Sequence, residues 1–212
     1  MKLYNIKKLL YITFIFLLMP FSISAQSKYE QHVERYQSAW QKLIPRYTKL
    51  QFAGSMGLLS AGIGWDYGKK HQWETDVMLG FVPHYTSKAK ATFTLKQNYM
   101  PWKVNLGNNF SMEPLTCGLY VNTVLSGDFW VREPDRYPHG YYNFSTKIRS
   151  NIFAGQRFTY NFDMDKVHIA KAVTFFYEIG TSDLYIVSAF GNSYLKPKDY
   201  LHLSLGLKLQ IL

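Results

Sequence analysis

The chain has 212 residues, one cysteine and a formal net charge of +10, with 47% hydrophobic and 17% aromatic residues. That size suits one domain, and the lone Cys117 excludes a scaffold stapled by internal disulfides. The basic residues are dispersed along the chain and form no block, so the charge does not argue for a nucleic-acid partner.

Lys2, Lys7 and Lys8 precede an apolar run from Leu9 to Phe21, and Ser22-Ile23-Ser24-Ala25-Gln26 supplies small residues around a cut after Ala25. This order predicts a secretory signal peptide over residues 1–25. The run is shorter than the ~20 apolar residues a membrane-spanning helix needs. Removing it takes away three lysines and no acid, leaving 21 basic and 14 acidic residues on an exported chain of charge +7.

Residues 26–48 follow as a separate segment. Tyr29, Val33, Tyr36, Trp40 and Leu43 recur at steps of four, three, four and three, with Lys28, Glu30, Glu34, Arg35 and Lys42 on the other faces. This spacing predicts a short periplasmic amphipathic helix of about four turns that ends before Pro45.

From residue 49 to 212 the period changes to two. Eight strands are expected, at about 49–56, 58–67, 72–83, 91–104, 114–126, 144–159, 171–190 and 199–211. In the third, Trp73, Thr75, Val77, Leu79 and Phe81 alternate with Glu74, Asp76, Met78 and Gly80. In the seventh, the apolar register slips at Gly180-Thr181-Ser182, as at a bulge. No further run approaches transmembrane-helix length, so a membrane crossing requires a closed barrel that satisfies every backbone polar group. The fold class expected is all-β: an eight-stranded antiparallel up-and-down transmembrane barrel.

Such a barrel is filled by its own side chains. Asp66, Glu74, Asp76, Lys96, Lys147, Arg149, Arg157, Glu178 and Lys208 are expected inside, mixed in sign so that they can pair. Short turns such as Tyr67–His71 belong on the inner side and the longer connections on the outer side. Lys88, Lys90, Lys196 and Lys198 then form an outer rim suited to lipopolysaccharide phosphates. The stretch from Gly127 to Asn143 becomes an outer binding loop, with Trp130, Arg132, Arg136, Tyr137, His139 and Tyr141 as contact residues for a surface partner.

The last strand is the most regular. Leu201, Leu203, Leu205, Leu207, Leu209 and Ile211 alternate with His202, Ser204, Gly206, Lys208 and Gln210. The spacing Ser204, Gly206, Leu209, Ile211 resembles the C-terminal assembly signal of bacterial outer-membrane β-barrels, departing from it in the extra Leu212. Residues 49–212 as a whole resemble small outer-membrane barrels of the OmpA/OmpX type of Gram-negative bacteria. The resemblance implies an outer-membrane location, contact with lipid and the barrel-assembly machinery, and a non-enzymatic structural or surface-interaction role.

His202 and Ser204 stand two apart on one strand face, a His-x-Ser spacing similar to that of outer-membrane lipid A 3-O-deacylases. This alternative makes the protein a lipid A acyl hydrolase, although the alternation places both residues in the lumen and not towards lipid. A second alternative is a soluble lipocalin-like lipid-binding barrel. The six histidines are scattered singly, which gives no metal-ligand spacing, and no phosphate-cradling or calcium loop is present, so neither metal nor cofactor is expected.

Overall fold

The computed structural model describes residues 28–83, 89–126, 147–163, 169–191 and 196–211. The chain divides into two compact units, Met1–Ile44 and Pro45–Leu212. Within the first, residues 28–41 form helix α1. Tyr29, Tyr36 and Trp40 lie on its surface, with the Tyr36 and Trp40 rings edge to face at 6.0 Å.

The second unit is a closed β-barrel. Its strands are β1 (Tyr47–Phe52), β2 (Leu59–Tyr67), β3 (Trp73–Val82), β4 (Lys90–Tyr99), β5 (Val104–Gly107), β6 (Phe110–Leu125), β7 (Ile148–Asn161), β8 (Ala172–Ser182) and β9 (His202–Gln210). Each pairs antiparallel with its chain neighbour from β1 to β4 and from β5 to β9. Two further ladders close the ring. β1 pairs β9, from Tyr47↔Gln210 to Phe52↔Leu205, and β4 pairs β6, from Ala91↔Leu125 to Tyr99↔Cys117. The ring therefore has eight strands. β5 lies outside that count, because it takes up the same edge of β6 that β4 leaves, opposite Phe110–Met112.

Several expected boundaries move for identifiable reasons. The strand expected over 91–104 breaks after Tyr99, at Met100-Pro101, since proline has no N–H for the ladder. β5 then turns into β6 through Asn108 and Asn109, both left-handed (φ 47° and 66°), the pair a two-residue hairpin turn of the primed type requires. The strand expected over 171–190 stops at Ser182, and Asp183–Gly191 forms helix α2. The slip in period at Gly180-Thr181-Ser182 thus marks a change of element and not a bulge. Asp183 starts the helix, accepting hydrogen bonds from the Leu184 amide at 2.7 Å and the Ser150 amide at 3.4 Å. Pro197–Tyr200 forms the single turn α3, with the Lys196 amide donating to Asp199 Oδ2 at 2.9 Å, so the last strand begins at His202 and not at 199. The first strand covers Tyr47–Phe52, two residues earlier than the expected start at 49.

Inside and outside are inverted relative to a water-soluble domain. Along β3, Glu74, Asp76 and Met78 are buried while Leu79 and Phe81 are 59% and 52% exposed. Along β9, Ser204 and Lys208 are buried while Leu203, Leu205 and Leu207 face out. The lumen narrows at glycines. A side chain on Gly64 would run into the Tyr47 ring, and one on Gly206 into the Phe176 ring. The glycine of the C-terminal spacing is thus needed to let an aromatic ring lie across the inner wall.

Candidate functional site

The lumen has two layers. At the end of the barrel carrying Phe52 and Leu59, the β1–β2 turn does not project outward. Ala53, Gly54 and Gly57 take positive φ (63°, 87° and 127°), which folds the turn over the lumen and buries Met56 completely. Thr92 Oγ1 donates to the Met56 carbonyl, and Asn122 Nδ2 donates to the Ser55 carbonyl at 2.5 Å. Under the turn, Met56, Met78, Tyr120 and Phe153 form an apolar cluster. This is the capped end. The Ser55 hydroxyl lies 3.2 Å from His202 Nε2, which also meets the Tyr120 hydroxyl at 3.1 Å.

Below that cluster the lumen is ionic. Glu74 sits among three cations: Arg157 at 2.6 Å, Lys49 at 3.6 Å, and Lys208. Asp76 binds Lys49 at 2.6 Å and accepts from the Tyr47 hydroxyl at 2.5 Å and from Asn98 Nδ2 at 2.9 Å. Lys96 pairs with Glu178 and donates to Gln51 at 3.4 Å. Aromatic faces supply the rest of the cation environment. Lys96 Nζ is 4.1 Å from the Phe153 ring centre, and Lys208 Nζ is 4.1 Å from that of Tyr47. Isolated charges at such depth would cost several kcal/mol each, about enough to unfold the domain, so pairing is a condition of the fold.

Beneath the ionic layer, at the end carrying Tyr47 and Gln210, the barrel opens into a vestibule of about 630 Å³. Glu74, Lys208 and Met100 line its inner part, and the 68–72 turn, the Pro101–Lys103 break and the Lys171–Ala172 approach to β8 contribute to its wall. Asp66 on this wall binds His71 Nδ1 at 2.8 Å and Arg46 at 3.5 Å. Aromatic rings stand on the β3, β4, β6 and β7 side of the same end, with Trp73 against Tyr99 at 4.4 Å and Phe110 against Tyr160 at 4.8 Å.

Of the residues expected in the lumen, Glu74, Asp76, Lys96, Arg157, Glu178 and Lys208 are buried and meet in one network or its neighbour. Asp66 lies at the vestibule. Arg149 lies near the capped end, 3.7 Å from Asp183, and Lys147 is half-buried one residue before β7. Lys49, Tyr47, Gln51 and Asn98 belong to the network and were not expected there. The alternation Tyr47, Lys49, Gln51 against Thr48, Leu50, Phe52 was the available signal, hidden by starting the strand at 49. His202 and Ser204 do share the inner face, but their hydrogen bonds diverge: His202 to Ser55 and Tyr120, Ser204 to the Glu178 carbonyl at 3.5 Å. Lys196 and Lys198 are exposed on and before α3, and Lys90 is half-buried at the start of β4. Lys88 and the loop residues Trp130, Arg132, Arg136, Tyr137, His139 and Tyr141 lie outside the described residues, as does the signal segment 1–25. Among the described residues no group of histidine, cysteine or carboxylate side chains is placed to hold a metal ion. No family model, curated protein or solved structure matches this chain.

Proposed function

We propose that the protein is an exported outer-membrane β-barrel with a plugged lumen, a non-enzymatic envelope component that meets partners at its capped end. The observation that carries this reading is the inversion of the wall. Leu79, Leu119, Ile152 and Leu203 each expose more than half of their surface on the outer face, while Asp76 and Lys96 are fully buried inside. Each such side chain forgoes about 1.5–3 kcal/mol of burial if water surrounds it, and recovers it in lipid. A closed ring also leaves no strand edge for lipid to meet, apart from the short β5. The aromatic rings on the β3, β4, β6 and β7 side of the open end fit a headgroup boundary. A soluble lipid-binding barrel needs the opposite arrangement, with apolar residues inward to receive an acyl chain.

In this reading the open end faces the periplasm. The capped end, with α2, α3, Lys90, Lys196, Lys198 and the 127–143 loop, faces outward to lipopolysaccharide and surface partners. The test is gel migration of the mature protein from detergent-extracted outer membranes, boiled against unboiled in SDS. A faster, detergent-resistant unboiled band confined to the outer-membrane fraction is expected, together with an unchanged lipid A mass profile. A water-soluble protein without a shifted band would overturn the membrane reading, and shortened lipid A would overturn the non-enzymatic one.

A further inference from the structure

We propose that the open-end vestibule is a binding site for a small polyanion, a molecule bearing two or more phosphate or carboxylate groups. The inference starts from charge pairing. In the lumen and vestibule wall, the five acids Glu74, Asp76, Glu178, Asp66 and Glu113 are equalled in number by Lys208, Lys49, Lys96, Arg46 and Arg157, which pair with Glu74, Asp76, Glu178 and Asp66. Glu113 stands opposite Arg157 in the β6–β7 ladder, and His71 adds a second partner for Asp66. That leaves Lys70, Lys103 and Lys171, which all line the cavity and pair with no acid among the described residues.

The three lysines come from three separate segments of the wall: the β2–β3 turn, the break after β4 and the approach to β8. Converging like charges around one concave space repel each other and focus a positive potential into it. A single anionic group can answer only part of that ring, whereas a polyanion can bridge it. The rest of the lining suits such a molecule. Gln72 lines the same space with its amide, and the Trp102 ring supplies an exposed flat wall. The volume of about 630 Å³ lies within the span of small-molecule sites, roughly 300–1,000 Å³. The 68–72 turn is itself ordered, with the Lys70 amide donating to Gln72 Oε1 at 2.9 Å, so Lys70 is carried on a fixed backbone. Because the ionic layer and the apolar cluster lie behind the cavity, the ligand is held and not conducted. The site stands whichever compartment the open end faces, so it does not depend on the membrane reading.

Titration calorimetry of the intact protein in nonionic detergent at low salt tests this, with inorganic tripolyphosphate as the phosphate probe and citrate as the carboxylate probe. Saturable binding of at least one probe is expected, and the preferred probe identifies the anionic group recognised. The triple variant Lys70→Gln/Lys103→Gln/Lys171→Gln should lose at least about tenfold in affinity, while Lys196→Gln/Lys198→Gln at the opposite end should bind as the parent does. All five lysines are exposed, and the far-ultraviolet β-sheet circular dichroism of each variant is to match that of the parent before it is titrated. Absence of saturable binding by both probes, or equal affinity in the triple variant, overturns the proposal. Equal loss in the Lys196/Lys198 variant would do so too, by showing attraction to overall charge only.

Discussion

Between Tyr120 and Phe153 at one end of the lumen and Glu74 and Arg157 at the other, the barrel changes how it fills its interior. The capped half uses a folded-in turn and an apolar cluster of Met56, Met78, Tyr120 and Phe153. The open half uses four cations and three carboxylates threaded by Tyr47, Asn98 and Gln51: Lys49, Lys96, Arg157 and Lys208 against Glu74, Asp76 and Glu178. Apolar packing tolerates small shifts and loses energy by volume. An ionic network is unforgiving, because removing one member strands several others. The two halves should therefore fail in different ways.

The largest difference is expected at Glu74. Glu74→Gln leaves Arg157, Lys208 and Lys49 with one carboxylate fewer at full burial, and breaking buried pairs of this kind costs about 3–5 kcal/mol. Denaturant unfolding of the detergent-solubilised protein should show a correspondingly lower midpoint; an unchanged midpoint would mean that water reaches the network. Met56→Ala in the capped half should cost less, about 2–3 kcal/mol, set by the cavity it leaves. If it matched or exceeded Glu74→Gln, the ionic layer would not be the more brittle half. Ser55→Ala should cost only about 1 kcal/mol, since His202 keeps the Tyr120 hydroxyl and the turn keeps its carbonyl bonds to Thr92 and Asn122. A loss as large as that of Met56→Ala would show that the cap hangs on its hydroxyl and not on its packing.

These halves were unequally legible in the sequence. The charges of the open half sit on strands with clean alternation, so Glu74 and Asp76 on β3, Lys96 on β4 and Lys208 on β9 could be placed inward from period alone. Period says nothing about which charge meets which, because partners come from strands far apart in the chain, as Lys96 and Glu178 do. Lys49 escaped because β1 has six residues, too few for a pattern once its first two are missed. The inward fold of the β1–β2 turn was hidden for another reason. It rests on left-handed Ala53, a conformation alanine seldom takes, so the period carries residues 54–56 into the tail of the first expected strand and leaves only Gly57 as a connection. The break at Pro101 is visible in the sequence itself, since proline has no N–H for the ladder. The helix after Ser182 was not separable, because Leu184–Val187 is as apolar as the strand before it.

The ladder between β1 and β9 has a consequence for how the molecule is made. Its first and last strands close the ring, so Tyr47 must wait for Gln210 before either edge is satisfied. Until then the hydrophilic face of every strand is open and its lysines and carboxylates keep their hydration. Zipping of the final seam, joining residues from opposite ends of the barrel sequence, is the step that dehydrates them together. Such a closure is slow and cooperative, since the entropy of bringing distant strands together is spent before the contacts return it. Maturation should therefore behave as a single late event, with no half-built barrel persisting beside the finished one.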